Sequence, residues 1–136
     1  MQEKYLLIGA DVVPTISNRS FFLSGEMSHL LGEKLMLINE NAEYRIFNLE
    51  VPLVDEESPI KKWGPALWAE KSTISGYKRI KVNLFTLANN HIMDQGYKGL
   101  CSTCDVLNKN KIEYVGVGKN VEEARQAKIV RLFDRK

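Results

Sequence analysis

Cysteine is scarce in this chain, with two residues in 136. A small disulfide scaffold needs a denser set, so that class is excluded. Histidine is equally rare, also two. An excess of one charge is missing as well: 19 Lys and Arg face 17 Asp and Glu, a net charge of +2. So even a balance argues against nucleic acid or an anionic membrane as partner. No apolar run approaches the roughly 20 residues that a bilayer span needs. Only a few apolar residues separate Met1-Gln2-Glu3-Lys4 from Asp11, and no small-residue cleavage site follows. A secretory signal is therefore not read, and a cytoplasmic location is expected. Repeats, low-complexity tracts and interior linkers are absent too, which leaves one domain over 1–136.

What is present is an ordinary globular composition, 44% apolar and 26% charged, on a chain long enough for a real core. Tyr5 to Ala10 is a short apolar run that ends at Asp11 and reads as a buried strand. Pro14 and the polar group Thr15 to Ser20 read as a loop. Met27, Leu30, Leu31, Leu35 and Ile38 recur at spacings of three and four, which predicts a helix with one buried face, weakened at Gly32. Tyr44 to Leu49 is a second strand, ending at Glu50. Pro52 to Trp68 reads as an irregular crossing, and Ser72 or Thr73 as the cap of a short helix reaching about Ile80. Val82 to Ala88 is a third strand. Tyr97 to Asn110 is a helix with Tyr97, Leu100, Cys104 and Leu107 on one face, and Ile112 to Val117 is a fourth strand. Asn120 with Glu123 reads as an N-cap pair, and Ile129 to Phe133 as a fifth strand. Such alternation predicts an α/β fold, a largely parallel sheet with helices on both faces.

Ligands of such sheets bind beyond the carboxyl ends of the strands. Three successive strands here finish in chemically capable side chains: Asp11, Glu50, and the pair Asn90 and His91. Carboxylates brought together repel unless a cation lies between them or one keeps its proton. Oxygen donors with one imidazole suit a divalent ion of the manganese, iron or zinc type, and one or two such ions would activate water. His91 is alternatively a proton donor to a leaving group. Read singly, each residue has a plainer role: Asp11 as a turn cap, Glu50 as a solvated strand end, Asn89 and Asn90 as turn formers, His91 as a structural imidazole. The coincidence at three strand ends is what favours a site.

The stretches "FNLEVPL" (47–53), "LANNHIMDQG" (87–96) and "GVGKNVEEAR" (116–125) resemble the bacterial capsule-synthesis CapA family, together with "GADVVPT" and "SPIKKWGPAL". The resemblance implies a metallo-dependent phosphoesterase-like fold and a link to poly-γ-glutamate capsules. It implies metal-ligand roles for Asp11, Glu50 and Asn90. His91 would face the scissile group, and Asp94 would orient His91 or hold the turn, the latter being favoured. Asn48 and Asn89 would tie down their loops. Related phosphoesterases open with Asp-x-His, whereas Val13 stands at the histidine position here. Further histidine motifs expected in the second part of full members lie outside this sequence, so it reads as an N-terminal part, truncated at its C-terminus. A half-sheet would leave an unpaired edge that invites self-association.

Other candidates carry less. Cys101 and Cys104 form a C-x-x-C, but zinc would need two more ligands, and a redox pair normally opens a helix, so packing is expected. Gly116-Val117-Gly118 lacks both the third glycine of a dinucleotide fingerprint and the P-loop lysine, and reads as a tight connection. Trp63 and Lys62 are the candidate substrate-binding residues, for an anionic polymer such as poly-γ-glutamate or a phosphorylated substrate. Two readings follow: a metal-dependent hydrolase of a phosphoester or γ-glutamyl bond, and a non-catalytic polymer-binding or scaffold domain, or inactive fragment.

Overall fold

A computed structural model describes residues 5–132. Strands β1 (Leu6–Asp11), β2 (Tyr44–Asn48), β3 (Leu84–Thr86) and β4 (Glu113–Val115) lie side by side in that order, every neighbouring pair parallel. Parallel neighbours cannot be joined by a tight turn, so each connection crosses over through helix. Helices α1 (Arg19–Ser24) and α2 (Met27–Asn41) join β1 to β2. A 3-10 turn (Lys71–Thr73) and α3 (Ile74–Arg79) join β2 to β3, α4 (Gly96–Lys109) joins β3 to β4, and α5 (Val121–Ala124) follows. The expected α/β architecture is therefore observed: a parallel sheet flanked by helices, with all four carboxyl ends on one edge. Strand β1 is an outer strand of this sheet, and its Ile8 is 69% exposed.

The core gathers Phe22, Met27, Leu49, Leu53, Tyr77, Phe85, Leu87 and Leu107. Tyr77 packs its ring against Phe22 and Phe85, both centroids 5.1 Å away, and its hydroxyl donates to the Val12 carbonyl at 2.9 Å. A buried phenol needs such an acceptor. Gly76 lets α3 meet α1, because a Cβ there would lie 2.7 Å from both Cα and Cδ1 of Phe22. Backbone on one side leaves little room to yield, so Gly76→Ala should cost about 2 kcal/mol by overpacking. The check is a urea titration, in which the midpoint should fall while the slope stays constant.

Arg45, inside β2, is buried. Its Nε donates to the Asn39 carbonyl at 2.8 Å, and Nη2 to the Ala42 and Glu40 carbonyls at 2.7 and 3.2 Å. Those carbonyls belong to the end of α2, where backbone acceptors lack intrahelical donors and positive charge is favoured. A guanidinium, with five donors, serves several of them at once.

Several sequence expectations need correction. Thr15 to Ser20 was expected as loop, yet α1 begins at Arg19. In α2, Leu30, Leu35 and Ile38 were placed on the buried face, but they are exposed. The cause is Gly32, whose φ of 75° and ψ of 163° break the helix and reset its phase, so Met27, Met36 and Asn39 are the buried residues. In α4 the buried face carries Leu100, Thr103, Val106 and Leu107, while Tyr97 is exposed. Thr103 is buried because its hydroxyl accepts from Leu53 N at 2.8 Å and donates to the Gly99 carbonyl at 2.7 Å. A polar residue on the inner face rotates the stripe away from the one read from apolar spacing. Ile129 to Leu132 adds no strand to the sheet, and Phe133 lies outside the described residues.

Candidate functional site

The carboxyl edge is laced together by one amide. Asn48 ends β2, and a register shift in β1 between Ile8 and Asp11 sets Asp11 directly opposite it. Asn48 Nδ2 donates to Asp11 Oδ1 at 2.6 Å. Its Oδ1 accepts from Thr86 Oγ1 at 3.0 Å and from Asn89 Nδ2 at 3.3 Å. Three strand ends are thus tied through a single side chain. Asn89 fixes the loop that follows β3: Oδ1 accepts from the backbone of His91 and Ile92 at 3.0 and 2.9 Å, and Nδ2 donates to the Leu49 carbonyl at 2.9 Å. This is the side-chain turn that asparagine forms readily. It explains why polar residues interrupt a buried run.

The turn closes with Asp94 N donating to the His91 carbonyl at 2.8 Å, which brings the two side chains together. His91 Nδ1 lies 2.7 Å from Asp94 Oδ2. Asp94 is buried, its side chain 1% exposed, yet it is charged. Burial alone would raise its pKa, but hydrogen bonds from Lys62, His91 and Leu67 N outweigh it and hold the carboxyl below its ordinary range. The contacts are Lys62 Nζ on Oδ1 and Leu67 N on Oδ2, both at 2.6 Å. An ionised carboxylate only accepts, so Nδ1 carries the proton in this bond, and Nε2 has no partner among the described residues. Both roles open for Asp94 are therefore filled: it contacts the imidazole and it holds the turn.

Asp94 and Gln95 also fasten the long crossing before α3. Ile60 N donates to the Asp94 carbonyl at 2.9 Å and Ser58 N to Gln95 Oε1 at 2.6 Å, while Gln95 Nε2 donates to the Leu67 carbonyl at 3.2 Å. Gln95 and Thr86 were missed from sequence. A polar side chain inside an apolar run was the available signal for Thr86. Nothing local marks Gln95, whose partners lie 28 and 37 residues away.

Among the remaining candidates, Asp11 and Asn90 are exposed and Glu50 is half-buried. The carboxylate of Glu50 and the amide of Asn90 have no partner among the described residues, and Asp11 keeps Oδ2 unbonded. Asp11, Glu50 and Asn90 stand at three adjacent strand ends on one edge of the sheet, and oxygen donors of these types suit a divalent cation. They are not gathered into a metal cluster: the described residues contain no group of three His, Cys, Asp or Glu placed to hold a metal, although Asp11, Glu50 and His91 are among them. Val13, where a histidine was looked for, packs against the core. Trp63 is wholly exposed on the crossing, and Lys62 is engaged by Asp94. Beside Asn90, a cavity of about 670 Å³ opens among Asn89, Ile92, Gly116, Val117 and Asn120. Gly116 is needed there: its φ is 92°, and a Cβ would meet the Ala88 Cβ at 2.7 Å.

The model of the family described as "Bacterial capsule synthesis protein PGA_cap" matches residues 9–136. This chain belongs to that family. The PGA_cap family has the metallophosphoesterase-like fold, and the chain shows a four-stranded parallel sheet flanked by helices. The "Capsule biosynthesis protein CapA" of Bacillus anthracis is 30% identical over 91 residues, covering 63% of this chain and 22% of the relative. The chain therefore spans under a quarter of the length of the curated relative it matches. Among the described residues, no helix is long and apolar enough to cross a membrane. Cys101 and Cys104 are free and half-buried, and burial raises the Cys104 thiol pKa, which fits packing rather than reactivity.

Proposed function

We propose that the chain carries the acid–base part of a hydrolytic centre used in capsule production. The supporting observation is the His91–Asp94 pair: a buried carboxylate bonded to Nδ1, and Nε2 left unpartnered at the carboxyl edge of a parallel sheet. Water adds to the phosphorus or carbonyl carbon as the scissile bond breaks; Asp94 holds the ring and stabilises the imidazolium, whose Nε2 proton passes to the departing oxygen or nitrogen. The bond broken is a phosphoester or a γ-glutamyl amide of an anionic substrate such as poly-γ-glutamate. Exposed Trp63 offers an aromatic face to that substrate, and Asn48 keeps Asp11 and Asn89 in place around the reacting group. Asp11, Glu50 and Asn90 would hold a divalent ion of the manganese, iron or zinc type, with water or groups outside the described residues completing its shell. Such an ion supplies Lewis-acid polarisation of the scissile oxygen.

That no three such donors are placed together among the described residues supports a second reading, a polymer-binding or scaffold domain without catalysis. One experiment separates them. Elemental analysis is run on the purified chain and on Asp11→Ala/Glu50→Ala after manganese or zinc is supplied, alongside phosphodiester hydrolysis by the parent and His91→Ala. The hydrolytic reading expects metal in the parent, loss in the double variant, and a rate drop of about 10²–10⁴-fold in His91→Ala. Metal-independent binding of polyglutamate with no hydrolysis would leave the scaffold.

A further inference from the structure

We infer that Lys62 is a positioning residue for His91: through its ion pair it fixes the Asp94 carboxylate that keeps the imidazole proton on Nδ1. The inference deepens the acid–base reading of His91 and adds a residue from a distant loop to it. The two Asp94 oxygens are not equivalent. Oδ2 is shared by Leu67 N at 2.6 Å and His91 Nδ1 at 2.7 Å, whereas Oδ1 has Lys62 Nζ alone, at 2.6 Å. Oδ1 has no other protein donor once Lys62 is removed, and a buried acceptor left unmade is costly. The carboxylate then turns to recover a donor, and the bond to Nδ1 loosens. A metal-ligating or acid–base imidazole takes its tautomer from what its other nitrogen bonds, so Lys62 acts on Nε2 at one remove.

Lys62 is suited to this and Lys61 is not. Lys61 is exposed, while the Lys62 side chain is only 22% exposed and sits against Asp94. The crossing does not depend on Lys62 for its path, because Ser58 N on Gln95 Oε1, Ile60 N on the Asp94 carbonyl and Gln95 Nε2 on the Leu67 carbonyl anchor it without the carboxylate. Removing the ammonium should therefore leave the loop in place and change the imidazole.

The test is long-range ¹⁵N–¹H NMR of the imidazoles in the full chain. With two histidines in the sequence, His29 serves as an internal reference. His29 is exposed, its ring meeting that of Phe21 edge-on at 5.8 Å. The parent should show His91 predominantly as the Nδ1–H tautomer. Lys62→Met should shift His91 towards the mixture of an unrestrained imidazole while His29 stays put. Lys62→Arg should restore the parent pattern, and Lys61→Met should change nothing. The inference is overturned if Lys62→Met leaves the His91 shifts at their parent values. It is equally overturned if the parent itself carries the proton on Nε2, an observation that needs no variant and so survives any folding defect. No turnover is read, so an inactive chain would sink the hydrolytic reading and leave this one standing.

Discussion

Asp94→Ala should destabilise the chain by about 3 kcal/mol, the scale for removing one partner of a buried ion pair. For a domain of this size that lowers the melting midpoint by about 10 °C. The variant strips the acceptor from Lys62, His91 and Leu67 N together. The bond from Ile60 N to the residue-94 carbonyl is backbone to backbone and survives the substitution. Differential scanning calorimetry measures the shift, and a midpoint within 2–3 °C of the parent would show that solvent takes over these donors. The acid limb carries a second signature. The folded pKa of Asp94 lies below its ordinary 3.8. Its stabilisation is therefore present above that value and is lost as pH falls through the folded pKa. Asp94→Asn removes this titration, so stability should fall less steeply below about pH 4 than in the parent.

Arg45→Met should cost a similar amount, about 3 kcal/mol, for a different reason. Methionine keeps the apolar character of the arginine stem while removing the charged head, so most of the loss reports the guanidinium. Three carbonyls at the end of α2 lose their donor, and each buried acceptor left unpaired costs roughly 1–3 kcal/mol before relaxation. Arg45→Lys should recover only part of the loss, because an ammonium cannot reach the Asn39, Glu40 and Ala42 carbonyls with the fork that a guanidinium presents. Chemical denaturation of the three proteins orders them parent, Lys, Met. Equal stability of Lys and parent would mean that charge at the helix end suffices and geometry does not matter.

Much of the fold follows from local pattern. Apolar runs of four to six residues ending in polar groups, alternating with segments of helical spacing, are enough to specify parallel strands and crossovers. Parallelism then places every strand end on one edge, so Asp11, Glu50, Asn90 and His91 could be assigned to a common side from spacing alone. The motif at 87–96 also marked Asn89 as a loop-former, since asparagine satisfies its neighbours' amides within two or three residues. The N-cap at Asn120 was readable for the same reason, its side chain accepting from Glu123 N at 2.9 Å.

Periodicity failed where one residue resets the phase or a polar group is buried by a remote partner. Gly32 breaks α2, and no count of apolar spacing across it could recover the true inner face. Thr103 and Gln95 are buried polar residues that bond backbone groups of Leu53, Ser58 and Leu67, which only folding brings near. Lys62 looked like a surface lysine beside Trp63, and the tertiary structure gave it a carboxylate 32 residues away. The sequence by itself determined the strand order of chemistry: which side chains stand at which carboxyl ends. Only the tertiary structure decided that Asp94 binds Lys62 and His91 together, because a buried carboxylate must collect its donors from wherever the chain brings them.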